Sequence, residues 1–260
     1  DSTSSEGSLG NYVDFDRQTG IKRNALLGNA STVDYMWKRA NGYFDVVTYT
    51  GNNTLRTINH NLGVVPEMMW LKRRDSADIW TVYHSALGEG KRLKLHQNTA
   101  AEDDVTSFNN TAPTSTVFTI NQNVNQLNAD GSTYIAYLFA TAAGVSKVGS
   151  YTGNGNATGP TVDCGFTNGT KWVLLKRTSG LQNWYVYDTA RGLTSGDDKE
   201  LELNSNSLLE LNTTSNQDNG YDDIDPLDAG FTITAYGGTA PYLNINGETY
   251  IFYAIANDPS

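Results

Sequence analysis

In the stretch "WTVYHSAL", Trp80, Val82 and His84 fall on one side of an extended chain and Thr81, Tyr83 and Ser85 on the other. A period of two marks a strand held between two layers. Two later runs, "TYIAYLFA" at 133–140 and "TYIFYAIA" at 249–256, are apolar at odd and even positions alike. That pattern predicts central strands buried on both faces. Asp130-Gly131 and Asn246-Gly247 stand just before these runs, and each dipeptide predicts a two-residue hairpin turn.

The pattern occurs twice along the chain. Tyr49-Thr50-Gly51-Asn52 recurs as Tyr151-Thr152-Gly153-Asn154, Leu71-Lys72-Arg73 as Leu175-Lys176-Arg177, Trp80 to Tyr83 as Trp184 to Tyr187, Phe118-Thr119-Ile120 as Phe231-Thr232-Ile233, and Thr133-Tyr134-Ile135 as Thr249-Tyr250-Ile251. The offset between partners grows along the chain while the apolar blocks stay aligned, so insertions fall between blocks, where loops accept them cheaply. A repeat of this length suits a folding domain rather than a solenoid unit. The expected fold is all-β: two tandem homologous β-sandwich domains of jelly-roll-like form, 44–143 and 146–257, joined across Ala142-Ala143-Gly144-Val145. Residues 1–43 stand outside the repeat as an N-terminal extended segment. Its isolated aromatics, Tyr12, Phe15, Tyr35 and Trp37, favour a docking segment over a flexible linker.

Composition supports the same class, because Asn, Thr, Ser and Gly recur throughout and 15 tyrosines accompany them. A formal charge of −10 with no basic block argues against nucleic acid as a partner. No apolar run is long enough for a transmembrane helix, so membrane insertion is not expected. The opening "DSTSSEGSLG" lacks the basic and apolar segments of a signal peptide, and the chain starts without methionine, as an excised part of a longer polypeptide would. Cys164 stands alone, which excludes an intramolecular disulfide and a thiolate metal cluster and predicts a small buried side chain.

The chain carries no Gly-x-Ser-x-Gly elbow, His-Glu-x-x-His pair or phosphate loop. "YTGNGNATG" is rich in glycine but leads into a strand, so the anion-binding helix terminus is missing. His60, His84 and His96 all lie in the first copy, and the partner of His84 is Asp188, which argues against a duplicated catalytic base. No cofactor and no metal site are expected. Asp218, Asp222, Asp223, Asp225 and Asp228 crowd the stretch 216–230, but their spacing does not match a calcium loop and reads as a solvated acidic loop. The same carboxylates could serve a glycosidase only as a pair across a cleft. Asn-x-Ser/Thr sequons carry little weight in so Asn- and Thr-rich a chain.

Aromatic rings on a sandwich can grip sugar faces. Trp80 and Trp184, with Tyr83 and Tyr187, are paired candidates for that contact, but the favoured reading is that they form the core of a repeated strand. Tyr221, Tyr236 and Tyr242 fall in loops of the second copy and are the better candidates for exposed binding residues.

The repeated blocks "YTGN", "WLKRRDSADIWTVYHSALG" with "VLLKRTSGLQNWYVYDTARG", and "DGSTYIAYLFAT" with "NGETYIFYAIA" resemble an uncharacterised domain family of tailed-bacteriophage virion proteins, and "YMWKRANGYFDVVTYTG" resembles the lead-in to those domains. The resemblance covers about residues 35–257 and carries no catalytic residues. It implies a non-enzymatic protein on the exterior of a phage particle, with other virion proteins as partners. The first expectation is a tail-fibre or receptor-binding component, homo-oligomeric and trimeric, that meets a host surface glycan or receptor. The alternatives are a capsid decoration protein anchored by residues 1–43 and a glycan-degrading enzyme of the tailspike type.

Overall fold

A computed structural model of the chain describes residues 13–17, 20–23, 36–196, 200–202, 222–234 and 242–257. Their architecture is an all-β sandwich with one short helix among the described residues. The N-terminal segment contributes a hairpin of β1 (Val13–Arg17) and β2 (Gly20–Arg23). The first half then runs through β3 (Phe44–Thr50), β4 (Arg56–Asn59), β5 (Met68–Arg73), β6 (Trp80–His84), β7 (Lys91–Lys94), β8 (Glu102–Asp103), β9 (Val117–Ile120), α1 (Asn125–Asn128) and β10 (Thr133–Phe139). The second half comprises β11 (Ser146–Thr152), β12 (Thr158–Asp163), β13 (Thr170–Arg177), β14 (Tyr185–Asp188), β15 (Glu200–Glu202), β16 (Ile224–Leu227), β17 (Gly230–Thr234) and β18 (Thr249–Ala256).

Each half forms one large and one small antiparallel sheet, and the large ones share their order. The first reads β3-β10-β5-β6-β7-β8 and the second β11-β18-β13-β14-β15. Registers agree as well: Tyr134 lies opposite Tyr49 as Tyr250 lies opposite Tyr151, and Trp70 opposite Val82 as Leu174 lies opposite Val186. The small sheets are β4-β9 in the first half and β12-β17-β16 in the second.

Alternation along the strands decides the layering. In β5, Met69 and Leu71 face Ile58, Phe118 and Ile120 of the small sheet, whereas Met68 and Trp70 face away from it. β13 divides its residues in the same way: Val173 and Leu175 join Phe231 and Ile233, while Trp172 and Leu174 face away. The two outward sets meet in one central core containing Met68, Trp70, Val82, Phe139, Trp172, Leu174, Trp184 and Tyr253. The sandwiches thus stand back to back as four layers, small sheet, large sheet, large sheet, small sheet. Each large sheet is covered on both faces, which is why "TYIAYLFA" and "TYIFYAIA" show no polar side.

Trp37 enters this seam from the N-terminal side. Its ring stands edge-on to Trp172 at 5.9 Å and to Trp70 at 6.3 Å, touching both halves. Docking therefore applies to that aromatic; Tyr12 and Tyr35 lie outside the described residues. The lead-in to each half is the same tight turn. Ala40 bridges Phe44 around Gly42 (φ +75°), and Ala142 bridges Ser146 around Gly144 (φ +70°). The described structure of the first half consequently reaches back to Ala40, before the expected boundary at residue 44.

A second tie crosses between the halves. The segment Lys94–Ala101 leaves β7 and runs along the connection between β13 and β14 of the second large sheet. Lys94 O accepts the Trp184 indole N–H (3.0 Å), Asn98 O accepts Gln182 N–H (2.7 Å), and Ala101 N–H donates to Thr178 O (2.7 Å).

One expectation is corrected in form. Asp130-Gly131 and Asn246-Gly247 do make turns, closed by Ser132 N to Ala129 O and Glu248 N to Ile245 O, with positive φ at the glycines. They are not hairpins, since β9 and β17 pair with β4, β12 and β16 rather than with the strands that follow. Positive φ only at the third turn position suits a single glycine there.

Candidate functional site

The twice-repeated Tyr-Thr-Gly-Asn is a lock that ties the end of a strand to the loop before the closing strand. Tyr49 stacks on Tyr134 with ring centroids 5.1 Å apart and donates its hydroxyl to Leu127 O at 2.9 Å; Tyr151 stacks on Tyr250 at 4.8 Å and donates to Leu243 O at 2.9 Å. A side chain on Gly51 or Gly153 would place its Cβ 2.2 Å from Ala129 O or Ile245 O, so the close approach requires glycine. The backbone N–H of Asn52 donates to the buried Asn128 side chain, and that of Asn154 to the buried Asn244 side chain. Asn128 Nδ2 in turn donates to Thr54 O and Asn121 O, and Asn244 Nδ2 to Asn156 O and Asn154 Oδ1. Polar groups that would be costly to bury unpaired are matched in both halves by the same device.

The histidines serve turns in a similar way. Nδ1 of His60 accepts Leu62 N–H, Nδ1 of His84 accepts Ala86 N–H, and Nδ1 of His96 accepts Trp80 N–H. Each bond requires the neutral ring. Burial holds all three below the ordinary histidine range and pushes His84 down to about 4.

Of the paired aromatic candidates, Trp184 follows the favoured core reading and not the sugar-contact one. It is only 1% exposed, with the Lys94–Ala101 segment over it, and offers no ring face to a sugar. Tyr83 and Tyr187 are buried too. Trp80 is half-buried and stacked on Tyr137 (6.2 Å, 24°) at the margin of the central core. Tyr221 and Tyr236 lie outside the described residues.

Tyr242 is the candidate that the structure joins to another. It is half-buried, its ring packs on Tyr185 at 5.2 Å, and its hydroxyl donates to Asp223 Oδ2 in a short bond. The same carboxylate oxygen faces the Tyr187 hydroxyl at 3.4 Å. The position of Asp223 is set by β17, where Thr234 N–H donates to Asp223 O and Thr234 Oγ1 to Asp222 O and Oδ1. Next along the chain, burial and the neighbouring Asp222 raise the carboxyl of Asp225 above its usual range. Two phenols thus converge on one carboxylate, both directing their hydroxyl protons to Oδ2, in a corner that sets the half-buried Tyr242 ring beside acidic oxygens.

The corresponding corner of the first half puts a phenylalanine ring beside the repeated tyrosine. Asn121 N–H donates to Ser107 O where Thr234 N–H donates to Asp223 O, and Phe108 packs on Tyr83 at 5.7 Å. Sequence reasoning found Tyr242 and the acidic stretch separately and missed their meeting. The signal lay in Tyr187, a repeated buried phenol whose first-half partner, Tyr83, has an aromatic neighbour instead. Among the described residues no group of three or more His, Cys, Asp or Glu side chains is placed to hold a metal ion, and Asp218 lies outside them.

Lys72 and Lys176 occupy matching places facing the seam, 5% and 0% exposed. Lys176 Nζ donates to Arg177 O at 2.8 Å and reaches Asn98 O at 3.5 Å. Burial, helped by the Arg177 charge, lowers its amine to about 7. Cys164 is buried, as expected, and its thiol is pushed up to about 12. No helix among the described residues is long and apolar enough to cross a membrane.

No curated protein matches the chain. No solved structure matches it either. A family model described as a domain of unknown function, DUF7483, matches residues 20–259, and the chain belongs to that family.

Proposed function

We propose that the protein is a non-enzymatic structural component on the exterior of a bacteriophage particle, in the first place a tail-fibre or receptor-binding protein. In this reading the second half meets a host surface glycan or receptor through the Tyr242–Asp223 corner and the loops beside it. We also read the two halves as copies of one duplicated domain, on their shared strand order, registers and Tyr-Thr-Gly-Asn locks. The phage setting rests on the family resemblance of the repeated blocks.

The observation that supports display rather than catalysis is how the halves use their polar side chains. The three histidines, the buried Asn128 and Asn244, and Tyr49, Tyr134, Tyr151 and Tyr250, the kinds of group from which a site is often built, are engaged with backbone groups of turns and loops. A scaffold with its polar inventory committed in this way presents loops from a rigid frame. A corner where the halves differ in chemistry, Tyr242–Asp223–Tyr187 against Phe108–Tyr83, is where a ligand would distinguish them.

Labelled protein incubated with host cells tests the reading, alongside imaging of particles at a resolution that resolves four stacked sheets. Binding that falls at least about fivefold in Tyr242→Phe, the loss of one hydrogen bond of about 1 kcal/mol, together with density at the tail, supports it. Density on the capsid shell with no cell binding would replace it with the decoration reading, and depolymerised host glycan with the enzyme reading.

A further inference from the structure

Asn-Gly is the dipeptide most prone to spontaneous deamidation, because the glycine amide nitrogen is unhindered by a side chain. In that reaction the glycine nitrogen loses its proton and bonds to the asparagine Cγ. The Cγ–Nδ2 bond breaks, the departing group leaves as ammonia, and a succinimide remains. Water then opens either carbonyl of the ring, giving aspartate or isoaspartate. The attack requires a free amide nitrogen that can turn toward its own side chain.

Four Asn-Gly pairs lie within the described residues: Asn41-Gly42, Asn154-Gly155, Asn168-Gly169 and Asn246-Gly247. All four asparagines are exposed to water. Yet each glycine N–H donates to a distant carbonyl: Gly42 to Leu62 O (2.6 Å), Gly155 to Asn244 O (3.0 Å), Gly169 to Asp228 O (3.1 Å) and Gly247 to Gly153 O (2.9 Å). Each glycine also has positive φ, from +68° to +87°. Asp130-Gly131, which can cyclise in the same manner with loss of water, is held likewise, by Gly131 N to Gly51 O at 3.0 Å. In an ordinary two-residue hairpin turn the nitrogen of the second central residue makes no such bond. Here the acceptors come from other parts of the chain, so the attack must first break a tertiary contact.

We infer that the fold suppresses deamidation at Asn41, Asn154, Asn168 and Asn246 by holding the attacking glycine nitrogen of each pair in a long-range main-chain hydrogen bond. The four asparagines lie at the exposed surface, while their chemistry is arrested from the backbone side. The inference rests on geometry alone. Its use, chemical endurance in a particle that cannot replace its proteins, rests on the function proposed above.

The test is peptide mapping by mass spectrometry of the full chain after weeks at 37 °C and mildly alkaline pH, with the same chain held unfolded in urea as reference. The expected result is deamidation at each of the four sites at least about tenfold slower in the folded protein, equivalent to about 1.4 kcal/mol added to the barrier. Any of the four proceeding at its unfolded rate overturns the inference for that pair, and all four doing so overturns it altogether. Gly153→Ala adds a local check, because its Cβ would strike Ile245 O and push away the acceptor of Gly247. If the variant folds, Asn246 and Asn154 accelerate while Asn41 and Asn168 do not. A folded variant in which none accelerates would sink the mechanism.

Discussion

The two halves place the same short sequence in different surroundings. Trp80-Thr81-Val82-Tyr83 and Trp184-Tyr185-Val186-Tyr187 align without a gap, yet Trp184 is buried beneath a segment of the other half and Trp80 remains half-buried. Local pattern determines which face of a strand an indole occupies. Depth is determined by what crosses over that face, here Lys94–Ala101, which belongs to neither repeated block. The same holds at the loop corners, where equivalent β9 and β17 positions receive Phe108 in one half and the Asp223–Tyr242 pair in the other.

The comparison can be broken most forcefully at the indoles. Trp184→Ala should lower unfolding free energy by about 3–5 kcal/mol, the range for deleting a buried aromatic, and Trp80→Ala by about half as much or less. Equal losses in a denaturant titration would show that the strap does not set the depth of the two sites.

Gly51→Ala and Gly153→Ala come next. Each forces a Cβ to 2.2 Å from a loop carbonyl, and each should cost about 2–3 kcal/mol through overpacking. Since the two locks share their geometry, the costs should match. A difference beyond experimental error in thermal unfolding would mean that one half tolerates the intrusion by moving its loop.

Asn128→Ala and Asn244→Ala remove the buried amides that hold partly buried loop main-chain groups and should each cost about 1–2 kcal/mol. The hydrogen-exchange rates of Asn52 and Asn154 amides should rise in the same order as the losses. A silent Asn244→Ala would remove the second lock from the account.

The last comparison concerns pH. The unfolded Lys176 titrates near 10.5 and the folded one near 7, so between these values the unfolded chain holds a proton that the folded chain lacks. Stability from this group therefore rises as pH increases from 7 toward 10. Below neutrality His84, lowered from 6.5 to about 4, acts in the same direction: stability is lost as pH falls through that interval. Lys176→Met should flatten the rise between pH 7 and 9 and leave the acid limb in place, whereas Lys72→Met should change the slope less. An unchanged slope in Lys176→Met would show that the amine stays charged within the seam.

Much of this was legible in the residues. Alternation in "WTVYHSAL" assigned the faces of β6 correctly, the doubled apolar runs marked β10 and β18 as covered on both sides, and the recurring blocks located matching strands. What escaped was set by contacts distant in sequence. Asp130-Gly131 and Asn246-Gly247 carry a hairpin dipeptide, but the strands they would have joined pair elsewhere, and a turn's residues do not encode the partner of the strand before it. The burial of Trp184 depended on a segment some ninety positions away. Tyr242 and Asp223 were each visible as candidates, but they meet through contacts distant in sequence, Asp223 held beside Thr234 of β17 and Tyr242 packed on Tyr185 of β14.

The strap between Lys94 and Ala101 has a mechanical consequence. Two domains joined by a short turn alone would swing apart under load, with the turn as hinge. Here a pull that separates the halves must draw the strap off the connection between β13 and β14, straining its bonds to Thr178, Gln182 and Trp184 together and parting the indoles of Trp37 and Trp172. Bonds loaded side by side resist far more than bonds opened one after another, so the pair should transmit tension as a single stiff link.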